Sequence, residues 1–104
     1  MTAKVKSLLP KVKSNLVLQH DEDDSLLLGY IAAALDYAET FQKVKYGRKA
    51  LPPSCEQAII MLASHWYESR DGSTGGFFAD NPNAARQTME AVHTLLRIHK
   101  NHEF

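Results

Sequence analysis

The sequence predicts an all-α fold in a single domain spanning residues 1–104. Three observations predict it. Apolar residues recur at spacings of three and four. Capping signals stand before the apolar runs. The main Gly and Pro breaks, at Gly47, Pro52-Pro53 and Gly72 to Gly76, fall between those runs. Of the 104 residues, 44% are hydrophobic, enough for one packed core. A chain this short buries a smaller share of its surface than a large domain does, so partners would add to its stability.

The first segment carries Val5, Leu8, Leu9, Val12 and Leu16 at helical spacing. Pro10 is tolerated in a first helical turn and not in an interior one. The segment therefore predicts a short helix over about Leu9 to Asn15, with Val17, Leu18 and Gln19 extended after it. The acidic run Asp21 to Asp24 suits a helix N-terminus, with Asp23 or Asp24 as cap. The helix it opens runs from about Asp24 to Val44 and is apolar on more than one side, through Leu26, Leu27, Tyr30, Ile31, Leu35, Tyr37 and Phe41. A helix of that kind is buried on two sides, which a domain of this size has few ways to achieve alone. After Pro52-Pro53, Ser54 and Gln57 match a capping box, and the third helix reaches about Arg70. Asp71 to Gly76 is turn-rich, and Phe77-Phe78 is apolar for a loop tip. Asn81-Pro82 reads as N-cap and first helical position, opening a last helix to about Lys100. The expected core includes Leu27, Ile31, Leu35, Ile59, Leu62 and Trp66.

Lys plus Arg and Asp plus Glu number 12 each, so the formal charge is zero. A dedicated nucleic-acid binder usually carries a basic excess. The charges are segregated: Lys4, Lys6, Lys11 and Lys13 share an acid-free stretch, residues 21–24 are all acidic, and Lys43, Lys45, Arg48 and Lys49 form a second basic stretch. Such patches are either solvated surface or complementary contacts between subunits. Cys55 is the one cysteine, so no intrachain disulfide can form. No run approaches the ~18 apolar residues that span a bilayer. Pro10, Lys11 and Lys13 interrupt anything resembling a signal peptide, and the expected compartment is reducing cytoplasm.

No motif carries catalytic chemistry, and no cofactor is expected. Asp21, Asp23 and Ser25 fit the first positions of an EF-hand loop, but Leu26 replaces its glycine and Ala32 its bidentate glutamate. His65 and Glu68 have a spacing that bundle metal sites use, without the second pair such a site needs. Gly72, Gly75 and Gly76 lack the Lys-Ser/Thr of a phosphate loop.

The order of segments carries a resemblance. The acidic stretch Gln19 to Ser25 leads into Leu26-Leu27 and Tyr30-Ile31-Ala32-Ala33-Ala34, then Leu51-Pro52-Pro53, then an apolar helix closing on His65-Trp66-Tyr67-Glu68 and Arg70. This resembles the head–tail connector family of tailed bacteriophages, small adaptors of the virion assembled in the host cytoplasm. The resemblance covers residues 8–70 best. It implies a bundle of two long helices with a short N-terminal and a C-terminal helix, and an extended loop or hairpin before the last. It implies a non-enzymatic subunit of a ring of about a dozen copies. That ring would contact the portal protein and the next head-completion or tail protein, and let double-stranded DNA pass without sequence-specific binding or any membrane. Contact residues are then expected at Asp21, Glu22 and Asp23 against Lys43, Lys45, Arg48 and Lys49 of a neighbour, with Phe77 and Phe78 covered by a partner. Two alternatives remain open. One is a small helical DNA-associated or regulatory module using the two basic stretches; the other is a small enzyme or metal protein with His65 and Glu68 in its site.

Overall fold

The computed structural model describes residues 2–69 and 82–100, which form four helices and, within that span, no strand. They are α1 (Ala3–Leu16), α2 (Asp24–Gln42), α3 (Pro53–Ser69) and α4 (Pro82–Lys100). The Gly-rich segment with Phe77 and Phe78, and any hairpin there, lies outside the described residues.

Helix α1 begins at Ala3, well before the expected Leu9. Thr2 caps it, its hydroxyl accepting from the Val5 amide at 3.3 Å. Pro10 therefore sits inside the helix, on an exposed side. An interior proline costs about 3 kcal/mol, and burial of Val5, Leu8 and Val12 along one stripe offsets it. The helix closes in a Schellman motif: the Val17 amide bonds Ser14 O at 3.1 Å and the Leu18 amide bonds Lys13 O at 2.9 Å. Val17 is thus left-handed, φ 59°, and not extended as its β-branched side chain suggests.

Helix α2 ends the same way at Gln42, two residues short of Val44, with Lys43 left-handed and its amide on Thr40 O. Asp23 occupies the N-cap but makes no capping side-chain bond. In α3 the expected capping box does not form. Pro53 is the first helical residue, and the Glu56 amide bonds Pro52 O at 2.9 Å. This shifts Ser54 into the first turn, where its hydroxyl is buried and unpartnered. Proline at the first position lacks a donor that would be orphaned anyway, so it opens the helix without help from a cap.

Helices α2 and α3 form the central antiparallel pair, tied where the Tyr67 hydroxyl near the end of α3 donates to the Asp23 carboxylate. α1 packs on both from one side and α4 on both from another, with no close backbone approach between α1 and α4 among the described residues. α3 is consequently the most buried helix, through Cys55, Ala58, Ile59, Ile60, Leu62, Ala63, Ser64 and Tyr67. Ala58, Ala63 and Ser64 are small enough for close helix approach, and Asn15 of α1 donates to the Ser64 hydroxyl at 2.8 Å.

Leu27, Ile31, Ile59 and Leu62 are buried as expected. Leu35 and Trp66 are only half-buried. The Trp66 ring lies at the rim, tilted against Tyr30 with centroids 6.4 Å apart, because small residues fill the space between the central helices.

Two stability outcomes follow from this packing. Leu62→Ala should cost about 2–5 kcal/mol, and Trp66→Ala less, because the rim can relax around it. Val17→Gly should remove left-handed strain of about 1 kcal/mol and raise the melting temperature by roughly 4–8 °C in a domain this size. Thermal unfolding of the three variants checks both; a lower midpoint for Val17→Gly would show that the side chain's contacts outweigh the strain.

Candidate functional site

The α1–α2 connection, residues 17–23, carries the acidic run at one end of the central pair. Lys13 reaches across it, pairing with the carboxylates of Asp21 and, at 2.9 Å, Asp24. These bonds hold the Asp21 carboxyl below its usual range and the Lys13 ammonium above its own. Asp23 accepts from Tyr67. Two of the three expected acidic contact residues are therefore engaged within the chain itself. Glu22 is exposed, and its carboxylate pairs with no cation among the described residues.

Lys4, at the start of the first basic stretch, meets the second stretch at the opposite end. The Lys4 ammonium donates to the Lys49 carbonyl, which holds the start of α1 against the α2–α3 loop. Between them lies a cleft of about 770 Å³, lined by Thr2, Ala3, Lys4, Ser7, Leu8, Gly47, Arg48, Ala50, Leu51 and Glu56. Gly47 turns the loop at φ +54°, a conformation that glycine adopts without strain. The nearby acids already have partners: Glu56 pairs with Lys11 at 2.7 Å, and Glu39 with Lys45 at 3.8 Å and the Tyr46 amide at 2.9 Å. Lys43, Arg48 and Lys49 are exposed and pair with no carboxylate among the described residues. Lys43, Arg48 and Lys49 thus stand at one pole and the Glu22 carboxylate at the other.

A third surface runs along α2 beside its buried stripe. Leu26 is 39% exposed, Ala33 is exposed, and Tyr30, Tyr37 and Phe41 are half-covered. His93 of α4 stacks nearly parallel on Phe41 (centroids 5.2 Å, 9°) and on Tyr37 (6.1 Å, 10°), and the Tyr37 hydroxyl shares a hydrogen bond with His93 Nε2 at 2.6 Å. Among the described residues, α2 is therefore covered on its core stripe and only partly beyond it.

Sequence reading missed the polar centre that fixes these surfaces. Gln42 is 1% exposed. Its Nε2 donates to Leu96 O at 3.0 Å, and its Oε1 accepts from Tyr46 Oη at 2.7 Å and Cys55 Sγ at 3.6 Å. Burial pushes the Cys55 thiol up, so it stays a protonated, weak donor. The only sequence signal for Gln42 was its place in the register of Leu27, Ile31, Ala34 and Ala38, where a core residue belongs. Among the described residues, no three His, Cys, Asp or Glu side chains cluster as a metal site would require. Phe77 and Phe78 lie outside the described residues.

Comparison with known proteins gives one family. The model of the phage gp6-like head-tail connector protein matches residues 6–97. No curated protein and no solved structure matches the chain.

A pH effect follows from His65. Burial lowers its pKa from 6.5, and the Glu68 charge opposes that only partly. The folded state thus binds fewer protons at this site than the unfolded one, so its contribution is complete above about pH 6.5 and is lost as pH falls through the folded pKa. His65→Gln should flatten stability against pH in that window. Denaturant midpoints measured from pH 7.5 down to 5 check it; an unchanged slope in the variant assigns the acid sensitivity elsewhere.

Proposed function

We propose that this chain, which belongs to the phage gp6-like head-tail connector family, is a structural subunit of the ring that docks beneath the portal and joins head to tail. In this reading about a dozen copies surround a channel through which double-stranded DNA passes without sequence-specific contact. Assembly takes place in the host cytoplasm, and the product is part of the virion. Its role is architectural and not catalytic.

The family match over residues 6–97 carries the reading, and the surface chemistry agrees with it. A subunit that closes a ring presents one surface to the copy ahead and a different one to the copy behind. This chain has separate acidic and basic poles and an α2 whose apolar surface exceeds what its own helices cover. The neutral total fits a protein past which DNA moves, since a strongly basic surface would hold the phosphate backbone.

Co-expression with the portal protein of the same phage tests the proposal. The expected product is a complex of portal and this chain, larger than the portal ring by roughly a dozen subunits, visible by sizing chromatography and by electron microscopy as an extra layer under the portal. A portal ring that stays bare while the chain remains free would overturn it. A free chain that instead binds DNA, with affinity falling steeply with salt, would favour the DNA-associated alternative.

A further inference from the structure

We infer that the cleft at the start of α1 receives the α1–α2 connection of a second copy of this chain, Glu22 lying against Arg48 and Lys4, and Val17 against the apolar part of the lining. The inference rests on the connector reading and assigns the surfaces that reading leaves unspecified.

The cleft has a mixed character. Its lining combines the apolar Ala3, Leu8, Ala50 and Leu51 with the cations of Lys4 and Arg48 and the carboxylate of Glu56. Its occupant should offer an apolar side chain and a carboxylate close together. The connection 17–23 offers both. Val17 is 76% exposed, the most exposed of the large hydrophobic residues among those described, and Glu22 is an exposed carboxylate with no cation partner among the described residues. The other acids of that run are held by Lys13 and Tyr67. This narrows the acidic contact from the whole run to one residue.

The connection cannot reach the cleft of its own subunit. Lys4 and the 47–51 loop stand at the start of α1, and Asp21 stands beside Lys13 near its end. The 14 residues of α1 separate the two by roughly 20 Å at 1.5 Å per residue. Complementary surfaces at opposite ends of one subunit can meet only between copies, in a heterologous head-to-tail contact.

A phosphate is the competing occupant, since cations beside a helix start attract anions. The apolar residues and the Glu56 carboxylate in the lining fit a protein segment better than a nucleic-acid backbone.

A charge exchange in the full chain, read by sedimentation alone and with co-expressed portal protein, tests this. Glu22→Arg and Arg48→Glu should each lower the association constant about tenfold, because each puts like charges face to face. Combined in one chain they should restore most of it. Val17→Gly should weaken association while leaving the fold at least as stable as the parent. Should a charge variant misfold, Glu22→Cys with Arg48→Cys in one chain gives the same information: oxidation should yield a covalent ladder of copies, with Cys55 buried and inert. Losses that add in the double charge variant, or an absent ladder in a cysteine variant that still assembles, overturn the cleft assignment and leave the connector reading standing. A parent chain that associates with neither itself nor the portal overturns both. Arg48→Glu that lowers retention on double-stranded DNA and leaves association untouched makes the cleft a phosphate site and overturns the assignment.

Discussion

The amide of Gln42 is the contact on which the geometry of the basic pole depends. One buried side chain bonds the carbonyl of Leu96 in α4, the hydroxyl of Tyr46 in the α2–α3 loop and the thiol of Cys55 at the start of α3. A hydrogen bond contributes only about 1 kcal/mol net, but a buried polar group left without one costs about 1–3 kcal/mol. Losing the amide would remove one bond from each of these three groups at once. The network therefore selects one register for the end of α2 against α3 and α4. Apolar packing alone is non-directional and would tolerate neighbouring registers. With Tyr46 fixed, the loop that follows it is placed against α1, and the cleft takes its shape.

At the other end of the central pair, polar contacts serve a related purpose. Lys13 bridges Asp21 and Asp24, and Tyr67 meets Asp23. Exposed ion pairs contribute little to stability. Their effect is conformational: they hold the α1–α2 connection so that Glu22 and Val17 remain outward. Val17 is held left-handed there, against its steric preference, by the two Schellman bonds that close α1. A strained residue persists where surrounding bonds over-determine it.

The apolar excess of α2 is settled between these two poles. The helix reads as two-sided in sequence, and the chain buries one stripe fully, Leu27, Ile31, Ala34 and Ala38. A domain of about this size has too little interior for the rest. Tyr30, Tyr37 and Phe41 are half-covered by Trp66 and His93, and Leu26 and Ala33 reach the surface. That remainder is the feature a member of an assembling family would retain.

The sequence by itself determined the helical class, the span of α2 and α3 to within a residue or two, the start of α4 at Pro82, and the buried residues Leu27, Ile31, Ile59 and Leu62. Those follow from spacing and from proline, which act within a few residues of one another. The residues that carry the family resemblance also lie mostly inside α2 and α3, so the family was legible before the fold. Tertiary structure decided the rest. Only burial of Val5, Leu8 and Val12 against other helices carries α1 through Pro10. Only the close approach of α2 and α3 sends Trp66 to the rim. Gln42 was invisible because its partners stand at positions 46, 55 and 96. The cleft was invisible because Lys4 meets residue 49 across 45 residues of chain. Such contacts depend on how helices dock, and docking is fixed by the summed packing of the core and not by any local pattern of residues.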